Sequence, residues 1–393
     1  MGTTLISFLG GNKPDGYNKA RYQFPDGVIH ETEYFGLALK EHLQSSGTLE
    51  KLILLGTDTS MWDVFSYSHY DENTQAEVSV IMKEMEEEGK ATQESLKKLG
   101  TKLAVSFGVP TECILIPYAR DSREQAEILT SLAKAVENNG NIVLDVTHGL
   151  RHLSMLALIA ASYLKHVRRV NIQDVYYGAF ELRANRDSPA PVVNLKGMLQ
   201  MLDWVEALAI YDHSGDYGVF AKLFQQDGMA GEHADQLRRA AFFERSTNPE
   251  QAKQHLTGAF EHIRNHTGAL GQLFSAPLAE NVAWFKAENR AERELELADR
   301  YLERRDYLRA IMFMQEGFVS RAVLQQRGDP GNFDERKSAL DHWRATSEDF
   351  RLLANLRNAV AHGLRSNSVK ISRLLRDEEK LAQKLRQLRK TMF

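Results

Sequence analysis

The chain has 393 residues, more than the roughly 100–200 of a typical domain, so two or three domains are expected. Its 43% hydrophobic and 26% charged residues exclude disordered, collagen-like and disulfide-scaffold classes. The net charge of −4 is unevenly placed: residues 290–393 carry 22 Lys+Arg against 16 Asp+Glu, and the remainder carries 27 against 37. A basic end reads either as a nucleic-acid surface or as a solvated helix face. The one cysteine, Cys113, leaves no internal disulfide and fits a cytoplasmic protein. The longest apolar stretch, Leu153–Leu164, is shorter than the about 20 residues that span a bilayer, so no membrane association is expected. No basic residue precedes the first apolar run, so the start of the chain is read as a strand and not as a secretory signal.

In chain order, Thr4–Gly10, Leu52–Thr57, Cys113–Pro117 and Ile142–Val146 are short apolar runs without alternation, as expected of strands covered on both faces of a parallel sheet. Arg21–Phe24 and Val28–Glu33 flank the turn Pro25-Asp26-Gly27 and predict a hairpin after the first strand. Helical patterns occupy Phe35–Gln44, Glu77–Gly100, Ser122–Asn138 and Arg151–His166. Strand-like runs at Asp174–Leu182 and Pro191–Leu195 close an α/β domain near residue 195. Beyond Gly197 the patterns are helical: Met198–Tyr211, Tyr217–Phe224, Ala234–Phe243, Glu250–His262, Val282–Ala287, Leu295–Arg304, Tyr307–Gln326, Phe350–His362 and Ile371–Thr391. The expected organisation is an α/β domain over 1–195, a helical connector over 196–280 and an all-α domain over 281–393.

In open α/β sheets a ligand sits beyond the carboxyl ends of the strands. Three loops there are rich in glycine, hydroxyl or basic residues: Gly10-Gly11-Asn12-Lys13, Gly56-Thr57-Asp58-Thr59-Ser60-Met61-Trp62, and Asp145-Val146-Thr147-His148-Gly149-Leu150-Arg151-His152. Glycines admit close backbone approach, and a helix N-terminus adds amide donors suited to phosphate. Ser60 and Thr147 offer hydroxyls, and Arg151 a counter-charge. Asp145 is read alternatively as a cap for the following helix. His148 and His152 are four apart, with no carboxylate between them and no Cys nearby, so no metal site is expected. The chain lacks both G-x-G-x-x-G and G-x-x-x-x-G-K-[ST] after a strand, which argues against ordinary dinucleotide and P-loop chemistry.

The segments LISFLGGNKPDGY, ARYQF and LDVTHGLRHLSML resemble the CARF (CRISPR-associated Rossmann-fold) sensor domain, with Asp145-x-Thr147-His148-Gly149 the most specific part. The resemblance implies a Rossmann-like α/β fold that dimerises and binds a cyclic oligoadenylate across its two-fold axis. It also implies ligand contacts from Gly10, Gly11 and Asn12 in the first loop and Thr147, His148, Gly149 and Arg151 in the later one. Ser60 and Trp62 are added from their placement, Trp62 either stacking on an adenine or packing. Cyclic tetra-adenylate is expected ahead of hexa-adenylate.

The sharpest feature of the second half is Arg357-Asn358-Ala359-Val360-Ala361-His362-Gly363. Asn358 and His362, four apart, share a helix face, and the long Arg357 side chain can reach the same place. Gly363 suits the end of the helix. Arginine can hold a phosphate and its developing charge, histidine can move a proton, and asparagine can position the pair. The bland alternative is a basic helix end with a capping histidine. The cluster resembles the R-x4–6-H motif of HEPN ribonucleases, and Tyr307–Gln326 with Glu316 resembles the family helix that braces that motif. Together the two resemblances imply a CARF–HEPN endoribonuclease of type III CRISPR systems, with catalytic Arg357, Asn358 and His362. They imply a homodimer with higher oligomers left open, single-stranded RNA as substrate, no metal or cofactor, and no DNA partner. Slow degradation of the activator by Ser60, Thr147 and His148 is a further expectation. The alternative function is a non-catalytic cyclic-nucleotide sensor that binds a partner or DNA through its helical half. Arg264-Asn265-His266 is read as surface.

Overall fold

A computed structural model describes residues 2–11, 19–67, 72–363 and 368–392. The chain divides into two compact units, 1–202 and 203–393. The first runs β1 (Thr3–Phe8), β2 (Ala20–Gln23), β3 (Ile29–Thr32), α1 (Phe35–Ser45), β4 (Leu49–Gly56), α2 (Glu72–Glu87), α3 (Gln93–Phe107) and β5 (Thr111–Leu115). It continues through α4 (Ser122–Ala135), β6 (Asn141–Asp145), α5 (Arg151–Val167), β7 (Asn171–Gly178) and β8 (Ala190–Asn194), and α6 (Lys196–Ser214) begins before residue 202 and ends after it.

The eight strands form one sheet in the order β3-β2-β8-β7-β6-β1-β4-β5. Strands β7, β6, β1, β4 and β5 are parallel. β8 is antiparallel to β7 and parallel to β2, and the hairpin strand β3 closes the edge. The apolar runs follow from this layering. Leu5, Leu52, Leu54 and Val143 face the core shared with α1, α2 and α3. Ile6, Ile53, Leu55, Ile142 and Leu144 face the core shared with α4 and α5. Strands covered on both sides need apolar residues at every position.

Helices that follow β1 and β4 therefore lie on one face, and those that follow β5 and β6 lie on the other. The direction of winding reverses between the adjacent strands β1 and β6, so their carboxyl-end loops diverge and leave a crevice. The helix expected over Glu77–Gly100 is two helices. Gly89, at φ +68°, ends the first turn sequence, and the Thr92 hydroxyl accepts from the Ser95 amide at 3.2 Å to start α3.

The second unit contains α7 (Phe220–Gln226), α8 (Gly231–Arg245), α9 (Pro249–Arg264), α10 (Gln272–Val282), α11 (Arg290–Glu303), α12 (Tyr307–Gln325), α13 (Phe333–Thr346), α14 (Glu348–Ala361), α15 (Val369–Leu375) and α16 (Glu378–Met392). Its described residues form no strand. One core extends from Trp204, Phe224 and Leu256 to Leu297, Leu356 and Leu388, so the segment expected as a connector packs with the later helices. Two helices were not anticipated. α10 contains Pro277, which reads as a breaker, and α13 buries only Ala339, which leaves little periodicity to detect. The single helix expected over Ile371–Thr391 is divided at Asp377, whose carboxylate accepts from the Lys380 amide at 3.1 Å and opens α16. His266 is not a surface residue: its side chain is 6% exposed and pairs with Asp227 at 3.0 Å. Among the described residues no helix is long and apolar enough to cross a membrane.

Candidate functional site

The crevice between β1 and β6 is built by side chains that face inward, leaving backbone toward the opening. Ser7, near the end of β1, is fully buried and donates to Asp145 at the end of β6. The Tyr34 hydroxyl meets the same Ser7 oxygen and lies 3.2 Å from the Phe8 carbonyl. Asp145 is fully buried as well, and its Oδ1 accepts from the Thr147 amide at 2.8 Å. Burial pushes the Asp145 carboxyl up to about 6, against the downward pull of its hydrogen bonds from Ser7 and Thr147. Asp145 does not cap α5, whose N-cap is Leu150.

Thr147 and His148 extend the same bracing. The Thr147 hydroxyl oxygen accepts from the Gly178 amide at the end of β7, 2.8 Å away. His148 Nε2 accepts from the Phe35 amide at 3.1 Å, serving the first turn of α1, where Tyr34 supplies no side-chain cap. An acceptor role leaves Nε2 unprotonated. The Asp145–His148 signature thus ties together β1, β6, β7 and α1.

What faces outward is then mostly main chain. Gly149 sits at φ +104°, a conformation that strongly favours glycine, and a Cβ there would meet the Phe8 Cβ at 3.4 Å. Gly11 has open space where a Cβ would stand. No side chain caps the first turn of α5, and exposed Arg151 stands at its first position. Glycine backbone, a helix N-terminus and a guanidinium at one crevice suit a phosphate group.

The loop after β4 is stitched to the loop after β1: Gly11 bridges Ser60, and the Met61 amide donates to the Gly10 carbonyl at 3.0 Å. Ser60 Oγ accepts from the Thr57 amide at 2.8 Å, which makes it a turn residue. Trp62 is 2% exposed and donates Nε1–H to the Thr57 carbonyl at 3.0 Å. The buried indole offers no face to an adenine, so Trp62 packs. Tyr118, after β5, ties this side together: its hydroxyl donates to Asp58 at 2.6 Å and meets Thr59 at 2.7 Å. Its carbonyl lies 2.6 Å from His152 Nε2. Tyr118, Ala119, Arg120, Leu150 and His152 line a cleft of about 600 Å³. His148 and His152 are thus held by different partners. Among the described residues no cluster of His, Cys, Asp and Glu is built to hold a metal ion.

In the second unit, α14 buries Leu352, Leu353, Leu356 and Ala359 and turns its other side out. Arg357 and Asn358 are half-buried and His362 is exposed. Arg357 Nη1 donates to Asn358 Oδ1 at 3.2 Å, and the His362 amide donates to the Asn358 carbonyl at 3.0 Å. His362 is the C-cap of α14, and Gly363 at φ +72° follows, the ending that glycine favours. Glu316 on α12 does not touch the Arg357 set. It accepts from Arg336 of α13, which also donates to Ser320 at 2.7 Å and the Pro330 carbonyl at 2.9 Å.

Residues 4–181 match the family model described as CRISPR system endoribonuclease Csx1, CARF domain. Residues 4–181 thus form a CARF domain. It is also similar to the CRISPR-associated protein MJ1674 of Methanocaldococcus jannaschii, 24% identical over 243 residues, which covers 57% of this chain and 37% of that relative. The CARF match ends before β8 and leaves the helical unit uncovered.

Within the CARF domain, the structure brings Gly10, Gly11, Thr147, His148, Gly149 and Arg151 to one crevice, while Asn12 lies outside the described residues. Three contributors were not singled out from the sequence: Ser7, Tyr34 and Tyr118. Ser7 carried a signal, a hydroxyl within an otherwise apolar strand run, which when buried demands a partner. Tyr34 and Tyr118 carried none, because their partners lie 26 or more positions away.

Proposed function

We propose that this protein is a cytoplasmic, cyclic-oligoadenylate-activated, metal-independent endoribonuclease of type III CRISPR defence. The observation that carries the proposal is a CARF domain on the same chain as an accessible Arg357–Asn358–His362 helix end. A CARF domain implies a cyclic oligoadenylate ligand, and the phosphate-compatible crevice between β1 and β6 is the place for it. Activator phosphates would meet the Gly10-Gly11 and Gly149 backbone, the first turn of α5 and Arg151.

The nuclease elements lie within 281–393 and act as pairs in a homodimer. The sensor unit offers a face for pairing: α5 exposes Met155 (70%) and Ile159 (59%), one turn apart. Ligand binding favours the dimer arrangement in which two Arg357/His362 sets engage one RNA strand. The 2′-hydroxyl of the substrate then attacks the adjacent phosphorus, and the P–O5′ bond breaks. The products are a 2′,3′-cyclic phosphate and a 5′-hydroxyl. His362 moves the proton, Arg357 offsets charge on the phosphoryl oxygens, and Asn358 holds Arg357 in place.

The test is cleavage of labelled single-stranded RNA in EDTA, with cyclic tri-, tetra- or hexa-adenylate added singly. Stimulation is expected, greatest with the tetra-adenylate. Absence of ligand-stimulated cleavage across the panel overturns the proposal. The sensor is assigned to binding and not to activator degradation, because Ser60, Thr147 and His148 are each engaged by a backbone amide. Ring opening of the activator by a His362→Ala variant would reverse that assignment.

A further inference from the structure

The helical unit carries a row of cations that no acid answers. On α15, Ile371 is buried and Leu374 and Leu375 pack against the same core. The other side of the helix presents Lys370, Arg373 and Arg376, all exposed. Among the described residues none of the three forms an ion pair. Several nearby cations are paired instead: Arg305 with Glu378 and Glu379, Lys380 with Asp377, Lys384 with Asp349, and Arg389 with Asp299. Like charges three residues apart on a helix repel, so the row is a local excess of positive potential. Its position is specific, since α15 packs against α14, the helix that ends in His362. Arg357 is likewise without a carboxylate partner among the described residues.

We propose that Lys370, Arg373 and Arg376 form a docking track for the phosphate backbone of single-stranded RNA entering the Arg357/His362 end of α14. This rests on the nuclease reading above and adds the surface that holds the substrate outside the cleavage point. The row is about 9 Å long at about 1.5 Å per residue. That reach suits consecutive phosphates of one strand.

Each phosphate neutralised on a single strand contributes about 0.7 to the slope of log affinity against log salt. Three contacts therefore account for a slope of about 2, and for about 100-fold in affinity at 0.1 M salt. The experiment measures binding of a 20-nucleotide RNA to the full chain carrying His362→Ala, as a function of salt. It is repeated with Lys370→Gln, Arg373→Gln and Arg376→Gln together. A charge-matched control carries Lys222→Gln, Lys337→Gln and Arg386→Gln, all exposed positions elsewhere on the unit.

The track variant is expected to lose about 2 from the salt slope and about 100-fold in affinity, and the control far less. With His362 restored, the track variant is expected to cleave a trinucleotide as the parent does while losing activity on the longer RNA. Equal RNA affinity of track variant and parent overturns the track, as does an equal loss in the control. Binding of duplex DNA that depends on the same three residues overturns the assignment to single-stranded RNA. A parent that binds RNA through the row yet never cleaves it refutes the nuclease reading and leaves the track standing.

Discussion

Replacing Asp145 with asparagine isolates the electrostatic cost of the sensor crevice. Asp145 is fully buried and its carboxyl is moved from an ordinary 3.8 to about 6, chiefly by burial. A carboxyl so displaced binds its proton about 150-fold more tightly in the folded unit than in the open chain, equivalent to about 3 kcal/mol. The sign follows from the direction. The contribution is fully present below about pH 3.8, is lost progressively as the pH rises to about 6, and is constant above that. Asparagine does not titrate, so the comparison of parent with Asp145→Asn cancels every other titrating group. Cys113 supplies the readout, because it is the single cysteine, lies in β5 and is 2% exposed. Burial also pushes its thiol up, so labelling requires the unit to open. With a dithiodipyridine reagent that reacts under acidic conditions, the ratio of parent to variant labelling rates is expected to rise by about two orders of magnitude between about pH 4 and pH 7. A ratio that stays flat or falls across that window refutes the reasoning, whatever the absolute stability of the variant.

Arg357→Ala and His362→Ala are each expected to lower RNA cleavage by about 100-fold or more while leaving activator binding intact, checked by single-turnover cleavage beside ligand titration. Gly149→Ala forces a side chain into φ +104°, at a cost of about 1–3 kcal/mol, and is expected to weaken cyclic adenylate binding measured by calorimetry. Trp62→Ala empties a buried site and is expected to destabilise the sensor unit by about 3–5 kcal/mol, read by Cys113 labelling. Trp62→Phe is expected to retain activator affinity, because the indole packs and does not stack on the ligand.

Much of the architecture was legible in the chain because local patterns suffice for it. The unbroken apolar runs Leu52–Leu55 of β4 and Ile142–Leu144 of β6 exist because both faces are covered, and they are visible without coordinates. The end of α14 was equally legible, since the spacing of Asn358 and His362 and the glycine after them are properties of one helix. Errors fell where local signals conflict with packing. Glu77–Gly100 reads as one charged helix, yet Gly89 and the Thr92 cap divide it. His266 looks solvated in sequence and is buried against Asp227, 39 positions away.

The sequence by itself determined the α/β-then-helical order, the loops at the strand ends and the Arg357–His362 spacing, because each depends on residues a few positions apart. Only the tertiary structure decided what those residues face. It turned Thr147 and His148 inward to hold Gly178 and Phe35, and it sank Trp62 into the core. It also paired Lys380, Lys384 and Arg389 with carboxylates while leaving Lys370, Arg373 and Arg376 open to solvent. The reason is physical: whether a polar side chain serves a ligand or the fold depends on which distant backbone groups need a hydrogen-bond partner once they are buried.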